Sequence, residues 1–187
     1  MSALRATLDP KGKVTGVLEL AEGRVLICGS RCWPWPSAVE TVLDRLLGRY
    51  GERLVVIEGS ASGADRAACA WCRHRRLDAG RHRCHPVDWA AARRRHPNSW
   101  RAAGPQRNTR MLLEERPELV IAFHDYFDPV RGGTSDMSLR ALLCGVPVWL
   151  VQGSDVEVGT WLELEVFPRD RTRRVHAELA AARTKQG

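Results

Sequence analysis

An α/β fold, with a parallel sheet flanked by helices on both faces, is what this sequence predicts, and three observations predict it. Short apolar runs alternate with segments whose apolar residues fall three and four apart. The runs are apolar throughout instead of at every second residue, which is the pattern of strands buried on both faces. Several of them end in glycine and serine, as strands that open into turns before a helix do.

The composition allows such a domain. A chain of 187 residues suits one globular domain with a short appendage. Hydrophobic residues make up 44% and charged residues 27%, which excludes wholesale disorder and collagen-like structure. No apolar run reaches the roughly 18 residues of a membrane helix, so no membrane partner is expected. Met1-Ser2-Ala3-Leu4-Arg5 shows no secretion-signal pattern, and the expected location is cytoplasmic, with six reduced cysteines. Lys plus Arg number 29 against 22 Asp plus Glu, a net charge of +7. Lys11, Lys13 and Lys185 are the only lysines, so arginine carries the positive charge, and its planar fork matches phosphate in two places. Such a surface attracts anions, whether nucleotides or nucleic acid.

Taken in order, residues 1–22 hold the turn signal Asp9-Pro10-Lys11-Gly12 between mildly apolar segments and read as an arm or hairpin. Arg24-Val25-Leu26-Ile27-Cys28 reads as a buried strand, and Val39 to Tyr50 as a helix on the spacing of Val39, Val42, Leu43, Leu46 and Leu47. Leu54-Val55-Val56-Ile57 is a second strand, Ala64 to Leu77 a second helix, and His82 to Val87 a weak third strand. Residues 88–104 look irregular. Gln106 to Glu115 looks helical and stops before Pro117. Leu119-Val120-Ile121-Ala122-Phe123 is the clearest strand, His124 to Thr134 a loop, and the helix that follows ends at Leu143. Residues 146–151 form the last strand expected in the core. Residues 152–187 read as a C-terminal extension, with an apolar stretch from Trp161 to Phe167 and a helical tail from about Arg171 to Arg183.

Ligands in folds of this class sit beyond the carboxyl ends of the strands. Three strand ends here are rich in small residues and polar donors. They carry Gly29-Ser30-Arg31, then Glu58-Gly59-Ser60-Ala61-Ser62-Gly63-Ala64-Asp65, then Arg131-Gly132-Gly133-Thr134. Small residues let a phosphate approach backbone amides, and helix N-termini add positive charge.

The order of these blocks resembles a known family. Cys28-Gly29-Ser30-Arg31 with Trp33 comes first, then Glu58 to Asp65. Ala103-Gly104-Pro105-Gln106-Arg107-Asn108-Thr109-Arg110-Met111 follows, then Ala122-Phe123 and Gly132-Gly133-Thr134-Ser135-Asp136-Met137. Together they are similar to the SLOG superfamily, which takes its name from the DNA-processing protein A group and the LONELY GUY phosphoribohydrolases, and within it to the YspA-like branch. The resemblance covers residues 23–151 and leaves out the arm and the tail. It implies a Rossmann-like domain that binds nucleotides or nucleotide-derived molecules, and relatives that often pair as homodimers. The phosphoribohydrolases cut an N-glycosidic bond with an Arg four residues before a Met and a Glu just inside the helix after a Gly-Gly loop. Arg107, four before Met111, matches that Arg. Met137 stands where that Glu is expected, and Asp136 is the nearest acid, turned by roughly 100° around a helix.

The candidate ligand-binding residues are therefore Gly29, Ser30, Arg31, Trp33, Gly59, Ser60, Gly63, Asp65, Arg107, Asn108, Gly132, Gly133 and Thr134, and the candidate catalytic groups are Asp136 and Arg107. Trp33 would stack on a base. Asp65 would cap a helix or touch ligand, and Asp136 would cap a helix, hold ribose hydroxyls or act as a general acid or base. Cys69-Ala70-Trp71-Cys72 with Cys84-His85 suggests zinc, but the first pair lies within a helical segment. Burial as small hydrophobes is the preferred reading, with no metal and no cofactor expected. Trp89 and Trp100 bracket Arg93-Arg94-Arg95-His96, a mix that single-stranded nucleic acid favours. Three functions compete: a protein that senses, sequesters or processes a phosphorylated nucleotide-derived ligand, a hydrolase of such a ligand's N-glycosidic bond, and a single-stranded DNA-binding module.

Overall fold

The structure, a computed structural model, describes residues 21–185. The arm expected before residue 23 lies almost wholly outside the described residues. Strands β1 (Arg24–Gly29), β2 (Val55–Glu58), β3 (His82–Cys84), β4 (Leu119–Phe123), β5 (Val148–Val151) and β6 (Gly159–Trp161) form one sheet in the order β3-β2-β1-β4-β5-β6. The first five run parallel, and β6 is antiparallel to β5. From β1 the chain builds outward to β2 and β3, then crosses back to place β4 on the other side of β1. Ligand crevices form where a doubly wound sheet reverses in this way.

Alternation along the central strands feeds two cores. Val25 and Ile27 of β1, with Leu119, Ile121 and Phe123 of β4, face a cluster formed with α1 (Pro36–Tyr50) and α2 (Ala64–His74). Leu26 and Cys28, with Val120 and Ala122, face a second cluster formed with α4 (Ala103–Glu115), α5 (Gly133–Leu143) and α6 (Arg169–Thr184). Each Val, Leu, Ile or Phe fully buried in this way contributes about 1.5–3 kcal/mol relative to exposure. The sheet is therefore covered on both faces, as the uniformly apolar strands predict, and the fold is Rossmann-like.

Three local elements differ from the sequence reading. The stretch at 88–104 contains α3 (Trp89–Arg95), whose start is capped by Asp88 accepting from the Ala91 amide at 2.8 Å. The loop after β4 ends at Gly132, because Gly133 and Thr134 already belong to α5. The segment after residue 151 returns to the sheet as β6, with Trp161 opposite Trp149 and their rings 4.8 Å apart in an edge-on contact. The helix that follows sinks Val175 and Leu179 into the second core. No helix among the described residues is long and apolar enough to cross a membrane.

Candidate functional site

A cavity of about 200 Å³ opens at the carboxyl ends of β1, β2 and β4. Gly29, Ser30 and Arg31 line it from β1, Gly59 and Asp65 from the β2 turn and the start of α2, and Arg107 and Asn108 from α4. Gly133 and Thr134 line it from the N-terminus of α5. These residues, far apart in sequence, are the strand-end and α4 residues that sequence reasoning singled out. No side chain caps the α5 N-terminus, so its first amides point toward the cavity end of the helix.

Arg107 is the central cation. Its Nη1 donates to the Gly59 carbonyl and, at 3.2 Å, to the His85 carbonyl. Its Nε is buried and has no partner. Burial lowers its pKa, and Asp65 opposes that shift. The guanidinium lies against Gly59, so a Cβ there would have to push the Arg107 side chain aside. Gly63 is required for a different reason. Its φ of +74° and the Ser30 carbonyl beside it exclude a side chain, so it does not line the cavity but packs the β1 and β2 turns together.

Asp65 is buried and holds the β2 turn. Its Oδ2 accepts from the amides of Gly59 at 3.0 Å and Ala61 at 3.4 Å. Burial raises its carboxyl to about 6, a rise that Arg107 opposes and Glu58 reinforces. His124, at the end of β4, also lines the cavity and has a buried Nδ1 without a partner. Burial lowers its pKa, opposed by Asp125 and Asp128. Sequence reasoning missed His124, which reads there as the first residue of a loop. Its place directly after the clearest strand was the available signal.

Other expected residues lie elsewhere. Trp33 is a core residue: its ring packs edge-on against Phe123 at 5.5 Å and Trp35 at 5.2 Å, and its Nε1 donates to the Trp35 carbonyl. No face is left to stack on a base. Ser60 sits outside the cavity, with its Oγ 2.7 Å from Cys84 Sγ. Gly132, at φ +102°, makes the turn into α5. Asp136 points to the other flank of α5. Its Oδ2 accepts from Asn108 Nδ2 and Arg140 Nε, each at 2.9 Å, and Arg140 also reaches Thr109 and Glu178. That network borders a separate hollow between α4 and α6. Helical phase explains the difference: Gly133, Thr134 and Met137 share the cavity face, and Asp136 is about 100° from Met137.

The tryptophans of the basic stretch are already engaged. Arg93 and Arg101 lie over the Trp100 ring at 4.4 and 4.5 Å, Trp89 meets Trp100 edge-on, and Arg31 stands 6.0 Å from Trp89.

No curated protein and no solved structure matches the chain. Residues 23–91 match the YspA, cpYpsA-related SLOG family. The matched stretch runs from β1 into α3 and supplies the β1 turn, the β2 turn and Asp65. Over residues 23–91 the chain is similar to the YspA, cpYpsA-related SLOG family.

Proposed function

We propose that the protein binds a phosphorylated nucleotide or nucleotide-derived small molecule in the strand-end cavity, in order to sense, sequester or process it. One observation carries the reading. Among the described residues, the buried side-chain polar atoms that lack a hydrogen-bond partner are Arg107 Nε and His124 Nδ1, and both belong to residues lining this cavity. Buried polar groups are nearly always satisfied, so a ligand that supplies the missing partners accounts for both. The surroundings favour a phosphate: a half-buried guanidinium, small residues on two turns, and the N-terminus of α5. Ser30 and Thr134 add hydroxyls. At about 200 Å³ the cavity suits the phosphate-bearing end of such a ligand, with the rest extending toward solvent past Arg31.

Calorimetry with nucleoside mono-, di- and cyclic phosphates, dinucleotides and the matching unphosphorylated nucleosides tests the reading. The expected result is one site per chain for at least one phosphorylated member and no binding of its nucleoside. Equal affinity for the nucleoside, or no binding across the panel, contradicts it.

A second reading, hydrolysis of that ligand, is favoured by Asp65 and His124 bordering one cavity, with the Asp65 carboxyl raised toward neutrality. A carboxyl poised in this way transfers protons efficiently. Base release followed by chromatography, and lost at least ~100-fold in Asp65→Asn with affinity retained, supports an enzyme. Tight binding with no turnover supports a sensor or sequestering protein.

A further inference from the structure

We propose that Glu58, Cys69, His82 and Cys84 form a zinc site at the edge of the sheet, apart from the strand-end cavity, which none of the four lines. Glu58 ends β2, Cys69 lies on α2, and His82 and Cys84 begin and end β3. Cys84 pairs with Glu58 across the two strands, and His82 pairs with Val56. The three strand residues, Glu58, His82 and Cys84, therefore project to one face of the sheet. That face is the one α2 covers, because Val56 packs in the same core cluster as Ala64, Ala67 and Ala68.

The distances are close to those a metal needs. Glu58, Cys69 and His82 each offer a ligand atom within 4.8 Å of the other two, and His82 Nε2 is 3.1 Å from Glu58 Oε1; Cys84 lies outside that group and completes the set by turning its thiol inward. Four ligands around one zinc stand roughly 3.3–3.8 Å apart, given bonds of about 2.0–2.3 Å. The Cys84 thiol is within hydrogen-bond reach of the Glu58 carboxylate and of Ser60 Oγ. Glu58 is fully buried. A buried carboxylate facing an imidazole and two thiols is a concentrated set of donors for one cation. Binding zinc would displace the two thiol protons to solvent as two Zn–S bonds form. Two sulfurs, one imidazole and one carboxylate favour zinc over the oxygen-seeking Mg²⁺ and Ca²⁺. A full set of four protein ligands makes the site structural. It would tie the three-residue edge strand β3 to β2 and α2. Cys72 takes no part, being buried in the first core three residues beyond Cys69.

The full chain, stripped with a chelator, is titrated with Co²⁺ and then Zn²⁺. One equivalent of Co²⁺ is expected to produce a near-ultraviolet thiolate charge-transfer band and tetrahedral visible bands. Stoichiometric Zn²⁺ is expected to abolish both and to raise the melting temperature. Cys69→Ser and Cys84→Ser should each cut the band by half or more, and each, like His82→Ala, should weaken Zn²⁺ binding at least ~100-fold. The double variant of the remote Cys32→Ser and Cys144→Ser should match the parent. No charge-transfer band at one equivalent, or a band of full intensity in Cys69→Ser or Cys84→Ser, overturns the proposal. The two serine variants keep the test decisive if His82→Ala fails to fold.

Discussion

Arg140 Nε donates to Asp136 Oδ2 at 2.9 Å, one turn back along α5, and both residues are buried. The acid that sequence places beside the glycine loop is thus committed to an internal ion pair that joins α4, α5 and α6. Removing one member of a buried pair leaves the other charge poorly compensated.

Asp136→Asn is therefore expected to lower stability by about 2–4 kcal/mol, because Glu178 still faces the exposed side of Arg140. Ligand affinity should change little. Urea unfolding and calorimetry on the same preparation measure both. Unchanged stability with lost binding would return Asp136 to the site.

Arg107 is expected to act on ligand directly. Arg107→Ala should weaken binding of the phosphorylated ligand by about 1.5–3 kcal/mol, the range for charge-assisted hydrogen bonds. The same change frees the Gly59 and His85 carbonyls, so a fall in melting temperature will accompany it. Lower stability with unaltered affinity would confine Arg107 to holding the β2 turn.

Asp65 gives stability a pH dependence of defined sign. Its folded pKa of about 6 lies above the ordinary 3.8, so the folded chain holds a proton that the unfolded chain has released. The penalty for the buried charge is absent below about pH 4, grows as pH rises through the window, and is complete above about 6. Unfolding free energies for Asp65→Asn, minus those of the parent, should rise by about 2–3 kcal/mol from pH 4 to pH 7. A flat difference across that range would show that the Gly59 and Ala61 amides fully offset burial.

The central strands were legible because burial on both faces demands continuous apolar runs, as in Leu119 to Phe123. β6 was not, because a three-residue edge strand is recognised through its partner Trp149, which lies ten residues or more away. That Gly29, Gly59 and Gly133 line one cavity was legible, since strand ends in this fold class converge on one edge of the sheet. Trp33 and Asp136 were misassigned for one reason: their partners, Phe123 and Arg140, are fixed by side-chain packing and helical phase. Glu58 and His82 were not read together, because it is the pairing of β2 with β3 that brings them together across 24 positions.

Gly133 offers the sharpest test of the central claim. It lines the cavity, its φ is not in the left-handed region, and a Cβ there would meet nothing. Gly133→Val should therefore fold while filling the space beside the α5 amides. Native mass spectrometry of the parent and the variant, each incubated with the nucleotide panel, reads the outcome directly. A one-to-one adduct with a phosphorylated nucleotide or its derivative is expected on the parent and none on the folded variant. The same adduct on both proteins, or none on the parent, would contradict the claim.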